Sequence, residues 1–178
     1  MPRLTFAVSV VIVLATLSTF AWAQRPDSPR RGGPRPEART PIENVPLPKD
    51  DAEKRVLESL QQYRQGPRYA NVSESDGRLL RLLTETSGAK LVVEIGTSTG
   101  ESGTWFALAL RKTGGRLITH ELDPGRAAIA AENFKKAGVD DLITIVVGNA
   151  HQTVQKVEGP IDILFLDADK DGYLDYME

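Results

Sequence analysis

The chain has 178 residues, with 22 Lys+Arg against 24 Asp+Glu, and its net charge of −2 excludes a strongly basic nucleic-acid binder as the default reading. It has no cysteine, which excludes a disulfide scaffold, a thiolate zinc site and a cysteine nucleophile. Two histidines, His120 and His151, are too few for a multi-histidine metal centre, and both read as structural or surface residues.

The first 23 residues read as an export signal. Arg3 supplies a positive start, Leu4 to Leu17 an apolar stretch, and Ala21, Trp22 and Ala23 a small-x-small cleavage site before Gln24. An uncleaved membrane anchor is the alternative, because about twenty uncharged residues can just span a bilayer. Export to the periplasm or medium is expected, without stable membrane association once the signal is removed. Residues 24–50 hold seven of the eleven prolines, five arginines and four acidic residues. Such a segment buries too little apolar surface to offset its ordering entropy and reads as a disordered linker.

From Asp51 to Glu178 the pattern becomes one of alternating helices and strands. Val56, Leu57, Leu60 and Tyr63 form a helical apolar stripe. Ser73 and Asp76 resemble a capping box ahead of Leu79, Leu80, Leu82 and Leu83, with Gly88 as the stop. Leu91–Ile95 reads as a buried strand, followed by a glycine-rich turn and a helix from about Glu101 to Lys112. Arg116–Glu121 is a second strand. Asp123 and Pro124 open another helix, as N-cap and first-turn proline, and Gly138 closes it. Leu142–Val147 reads as a third strand, a short helix follows Asn149, and Ile161–Leu166 is a fourth strand. Strands alternating with helices, and built from near-continuous Val, Ile and Leu, predict an α/β fold with a doubly wound, mostly parallel sheet.

In such a sheet, ligands bind beyond the carboxyl ends of the strands. Those ends carry Glu94 to Gly100, Glu121, Gly148 to Ala150, and Asp167. A glycine turn allows close backbone approach, and an acid closing the second strand can accept both hydroxyls of a ribose. A dinucleotide fingerprint is not met: Ser98 stands at the middle glycine position and Glu101 at the third. Glu94 beside the loop disfavours phosphate and suits an ammonium or sulfonium group, which points to S-adenosylmethionine rather than NAD.

These residues resemble the cation-dependent O-methyltransferases, the group of catechol and caffeoyl-CoA O-methyltransferases. The resemblance runs from about Tyr69 to the chain end. It rests on five blocks in order: Asn71 to Leu80, Val93 to Ser102, Leu117 to Pro124, Val147 to Ala150, and Phe165 to Lys170. It implies a Rossmann-like methyltransferase fold and an enzyme moving a methyl group from S-adenosylmethionine to a hydroxyl of a small, catechol-like or phenolic acceptor. Val72 would contact the cofactor, Glu94 and Gly96 would frame its methionine end, and Ser102 would bind its carboxylate. Glu121 would hold its ribose and Ala150 would lie beside its adenine. Asp167 matches a metal ligand, with Mg²⁺ suited to hard oxygen donors, and Lys170 matches the general base. Glu101 departs from the tyrosine often found at its position. Family members draw their other metal ligands from an Asp-Asn pair after a fifth strand, so the sequence reads as C-terminally truncated, with its last strands missing. A homodimer is implied as possible, and nothing points to nucleic acid.

Two other classes compete. Asp167, Asp169, Asp171, Gly172 and Glu178 meet the EF-hand calcium-loop pattern, but a calcium loop needs an entering helix where a strand is expected. A catalytically silent, exported binding domain is the third reading.

Overall fold

The computed structural model describes residues 10–13, 46–65, 69, 71–168 and 176. Among the described residues, five strands form one parallel sheet: β1 (Val10–Val13), β2 (Leu91–Ile95), β3 (Arg116–Glu121), β4 (Ile143–Val147) and β5 (Ile163–Leu166), in the order β1-β5-β2-β3-β4. The helices are α1 (Asp51–Tyr63), α2 (Glu74–Ser87), α3 (Glu101–Thr113), α4 (Pro124–Ala137) and the short α5 (Ala150–Thr153).

Local chemistry sets the helix ends. The Asp50 carboxylate accepts from the Glu53 amide, Ser73 from Asp76 and Asp123 from Arg126, each satisfying an orphan donor of a first turn. Gly88 and Gly138 close α2 and α4 in the left-handed conformation. Two strands start later than the sequence predicts. Asp140–Leu142 forms a 3-10 turn before β4. Before β5, the Asp162 carboxylate accepts the Lys90 and Leu91 amides at 2.7 and 2.9 Å, while the Asp162 amide donates to the Leu91 carbonyl at 3.0 Å.

The sheet sorts side chains by parity. Val92, Leu117 and Phe165 pack with Leu80, Phe106 and Leu110 of α2 and α3, while Val56, Leu60, Trp105, Ala130 and Phe134 join α1, α3 and α4. The opposite parity, Leu91, Val93, Ile95 and Leu166, meets Ala150, Val154 and Tyr176 on the other face. On α2 the leucine stripe is split: Leu80 is buried, whereas Leu79 and Leu82 are 43% and 58% exposed.

Strand β1 falls within the apolar run read as an export signal. Its β-branched residues pair in parallel with the outer edge of β5, Val10 against Ile163 through Val13 against Leu166. The rest of residues 1–45 lies outside the described residues, as does most of the Pro/Arg-rich linker. Among the described residues no helix is long and apolar enough to cross a membrane.

Candidate cofactor site

Setting β1 aside, the strand order β5-β2-β3-β4 places the reversal of winding between β2 and β5, where a crevice must open at the carboxyl edge. A cavity of about 440 Å³ lies there, lined by the residues that close four strands: Ile95 and Gly96, His120 and Glu121, Gly148 to His151, and Asp167. That volume lies within the range of small-molecule sites, about 300–1,000 Å³.

Backbone ties fix this edge. The Gly96 and Thr97 amides donate to the His120 carbonyl, Gly148 to Glu121 and Asp167 to Ile95, at 2.8–3.1 Å. Gly96 has φ of +106°, and a Cβ there would stand 2.4 Å from the Asp167 carbonyl oxygen. Its lack of a side chain therefore lets two strand ends approach each other. Ser98 also adopts positive φ, +50°, uncommon for a residue other than glycine. Its amide donates to Glu121 Oε2 at 2.8 Å, so the carboxylate holds the turn in shape. Glu121 Oε1 accepts the Asp123 amide at 3.0 Å and the Arg126 guanidinium at 3.0 and 2.8 Å.

Of the residues singled out from sequence, Gly96, Glu121, Ala150 and Asp167 meet at this cavity, while Val72, Glu94 and Ser102 do not line it. Val72 packs into the apolar clusters beneath α2 and α3. Glu94 shares the parity of Val92 and turns toward α3. Ser102 Oγ donates to its Oε1 at 2.5 Å and Thr119 Oγ1 to its Oε2 at 2.6 Å. The serine expected to meet a cofactor carboxylate is thus engaged with a carboxylate of the chain itself. Complete burial pushes the Glu94 carboxyl up to about 7, against the pull of those two hydrogen bonds, and the charges of Asp167 and Glu121 push the same way. Lys170 lies outside the described residues.

Several lining residues were not singled out from sequence, among them Tyr69, Leu122, Arg126 and Tyr176. His151 and Tyr176 stack with ring centroids 4.3 Å apart. His120 lines the cavity and is buried; its Nδ1 lies 2.8 Å from Thr153 Oγ1. The Thr153 hydroxyl donates to the Asn149 carbonyl, which assigns the proton to Nδ1 and leaves Nε2 a buried acceptor with no partner among the described residues. Burial pushes the His120 pKa down, so the ring is neutral.

Behind the turn, Glu101 at the start of α3 is buried and paired with Arg64, whose Nε donates to Oε1 at 2.8 Å while Nη1 reaches Glu74 at 3.0 Å. Burial pushes the Glu101 carboxyl upward, and Arg64 opposes that shift. Arg64→Ala is expected to cost about 2 kcal/mol near pH 8, a value discounted from that of a fully buried pair because Arg64 is 37% exposed. The loss should shrink at pH 5, where Glu101 can take up a proton. Chemical denaturation at the two pH values checks this, and equal losses would contradict it.

A parallel sheet with a reversal crevice, a glycine turn and a strand-end acid at its carboxyl edge is a Rossmann-like α/β architecture. Residues 49–178 match the family model described as O-methyltransferase. The chain belongs to that O-methyltransferase family. It is 42% identical over 112 residues to a catechol O-methyltransferase of Niastella koreensis, covering 61% of this chain and 50% of that protein. Among solved structures, it is similar to an SAH-bound methyltransferase of Podospora anserina (30% identity, TM-score 0.63, covering 72% of this chain and 54% of the other). It is also similar to an O-methyltransferase from Bacillus cereus in complex with SAH (32% identity, TM-score 0.60, covering 74% and 62%). The chain spans about half the length of the curated relatives it matches.

Proposed function

We propose that the chain binds S-adenosylmethionine at the strand-end cavity and serves methyl transfer to a hydroxyl of a small, catechol-like acceptor. The observation that carries this reading is the convergence of Gly96, Glu121, Ala150 and Asp167, from four different strand ends, on one cavity of about 440 Å³. The relative from Niastella koreensis, named a catechol O-methyltransferase, supports the choice of acceptor. The SAH bound in the two solved structures supports the choice of cofactor.

The residues present fit the cofactor. Among the described residues Glu121 Oε2 accepts only the Ser98 amide and keeps a lone pair for a ribose hydroxyl. The small side chain of Ala150 and the apolar body of Leu122 leave room for a flat base. The neutral His120 ring adds no cationic charge beside a sulfonium. When bound, the cofactor supplies an electrophilic methyl group. The chain's part is to orient it, exclude water and receive the acceptor's proton, a role we assign to Lys170.

Asp167 is one oxygen ligand for the divalent cation that the family resemblance implies. No group of three or more His, Cys, Asp or Glu among the described residues could hold a metal ion, so these residues do not form that site by themselves. The calcium-loop alternative meets strand β5 where an EF-hand has its entering helix. Export of the chain and a homodimer belong to the same proposal, checked by cell fractionation and by light scattering.

Calorimetric titration with S-adenosylhomocysteine tests the reading. One site is expected, with Glu121→Ala weakening it about 30-fold, as when a charged hydrogen-bond partner is lost. Heat with calcium and none with S-adenosylhomocysteine would refute it.

A further inference from the structure

Glu121 is expected to receive a ribose, yet its acceptor sites are almost filled. A carboxylate offers about four lone-pair sites, two on each oxygen. Oε1 already takes three donors: the Asp123 amide at 3.0 Å, Arg126 Nε at 3.0 Å and Arg126 Nη2 at 2.8 Å. Oε2 takes the Ser98 amide at 2.8 Å. One site is left, on Oε2, whereas a vicinal diol brings two hydroxyls.

The two amides belong to the backbone that shapes the turn and the start of α4, and cannot leave without undoing both. Arg126 can. It lines the cavity, its side chain is 42% exposed, and only its guanidinium engages Glu121. Asp123 offers it another negative charge within electrostatic reach, so leaving Glu121 does not strand it.

We infer that Arg126 is a latch on the ribose carboxylate: it occupies Oε1 when no nucleoside is present, and a cofactor's vicinal diol must displace it to bind Glu121 through both oxygens. The inference rests on the cofactor reading above and deepens it. Arg126 thereby sets the affinity and selectivity of the site for a ribose with two free hydroxyls, as a positioning residue that gives way to the ligand. Removing the guanidinium leaves Glu121 held by the Ser98 and Asp123 amides, with both oxygens open.

The test is titration of S-adenosylhomocysteine, and of its 2′,3′-dideoxyribose analogue, into the full chain as wild type, Arg126→Met and Arg126→Lys. Arg126→Met should bind S-adenosylhomocysteine about fivefold tighter, the upper end of what an exposed ion pair contributes. The dideoxy analogue, with no hydroxyls to compete, should show no gain. Arg126→Lys, a single-point cation without the fork, should fall between and decides the matter should the methionine variant not fold. Unchanged or weaker binding by the variants overturns the latch while leaving the cofactor reading standing, as does an equal gain for both probes. No heat from wild type with S-adenosylhomocysteine overturns both.

Discussion

Gly96→Ala is expected to destabilise the protein by about 4 kcal/mol, the sum of backbone strain at a positive φ and overpacking against an immobile neighbour. At φ of +106° the residue lies in a region that L side chains rarely adopt, and the new methyl would meet the Asp167 carbonyl oxygen at 2.4 Å and its carbon at 2.9 Å. That carbonyl cannot swing aside as a side chain would, because the Asp167 amide is bonded to the Ile95 carbonyl one residue before the glycine. Separating the two strand ends would also widen the floor of the cavity, so nucleoside binding should fall with stability. Urea denaturation of the two proteins checks the first effect, and a loss below about 1 kcal/mol would contradict the described turn.

The second large effect lies at Glu94. Folding raises its pKa from 4.5 to about 7 by complete burial, so between those values the folded chain holds a proton that the unfolded chain releases. Stability therefore falls as pH rises through that window, and above it the full cost of the buried charge is present. The difference corresponds to about 3 kcal/mol. Glu94→Gln keeps the shape and an acceptor for Ser102 or Thr119 while removing the charge. Denaturation at pH 5 and pH 8 should show the wild type losing stability relative to the variant by roughly that amount. Parallel pH profiles would show that Glu94 does not titrate in this window. The same carboxylate faces the positive end of α3 through Ser102, the second residue of that helix, which gives it a structural use independent of any ligand.

Much of the fold was legible because its punctuation is local. Ser73 with Gly88, and Asp123 with Gly138, mark helices whose ends depend on one side chain and one left-handed glycine. The strands were legible as runs covered on both faces, except where a side chain took over a backbone partner, as Asp162 does before β5. At the site, position along the chain was readable and direction was not. Glu94 and Glu121 both stand near strand ends. Glu94 is one residue short of the edge and points to α3, while Glu121 is the last residue of its strand and reaches the cavity. The leucines of α2 divide for a related reason: their spacing shows that one face is apolar, and burial depends on what lies opposite. Arg126 had no sequence signal. It matters only because α4 turns back after Asp123 and returns the guanidinium to the strand end.

The most direct measurement is a crystal structure of the full chain grown with S-adenosylhomocysteine. The nucleoside is expected in the cavity between the ends of β2, β3, β4 and β5, with ribose hydroxyls within hydrogen-bond distance of the Glu121 carboxylate and Arg126 turned away from Oε1. A nucleoside seated elsewhere, or a ribose making no contact with Glu121, would contradict that arrangement.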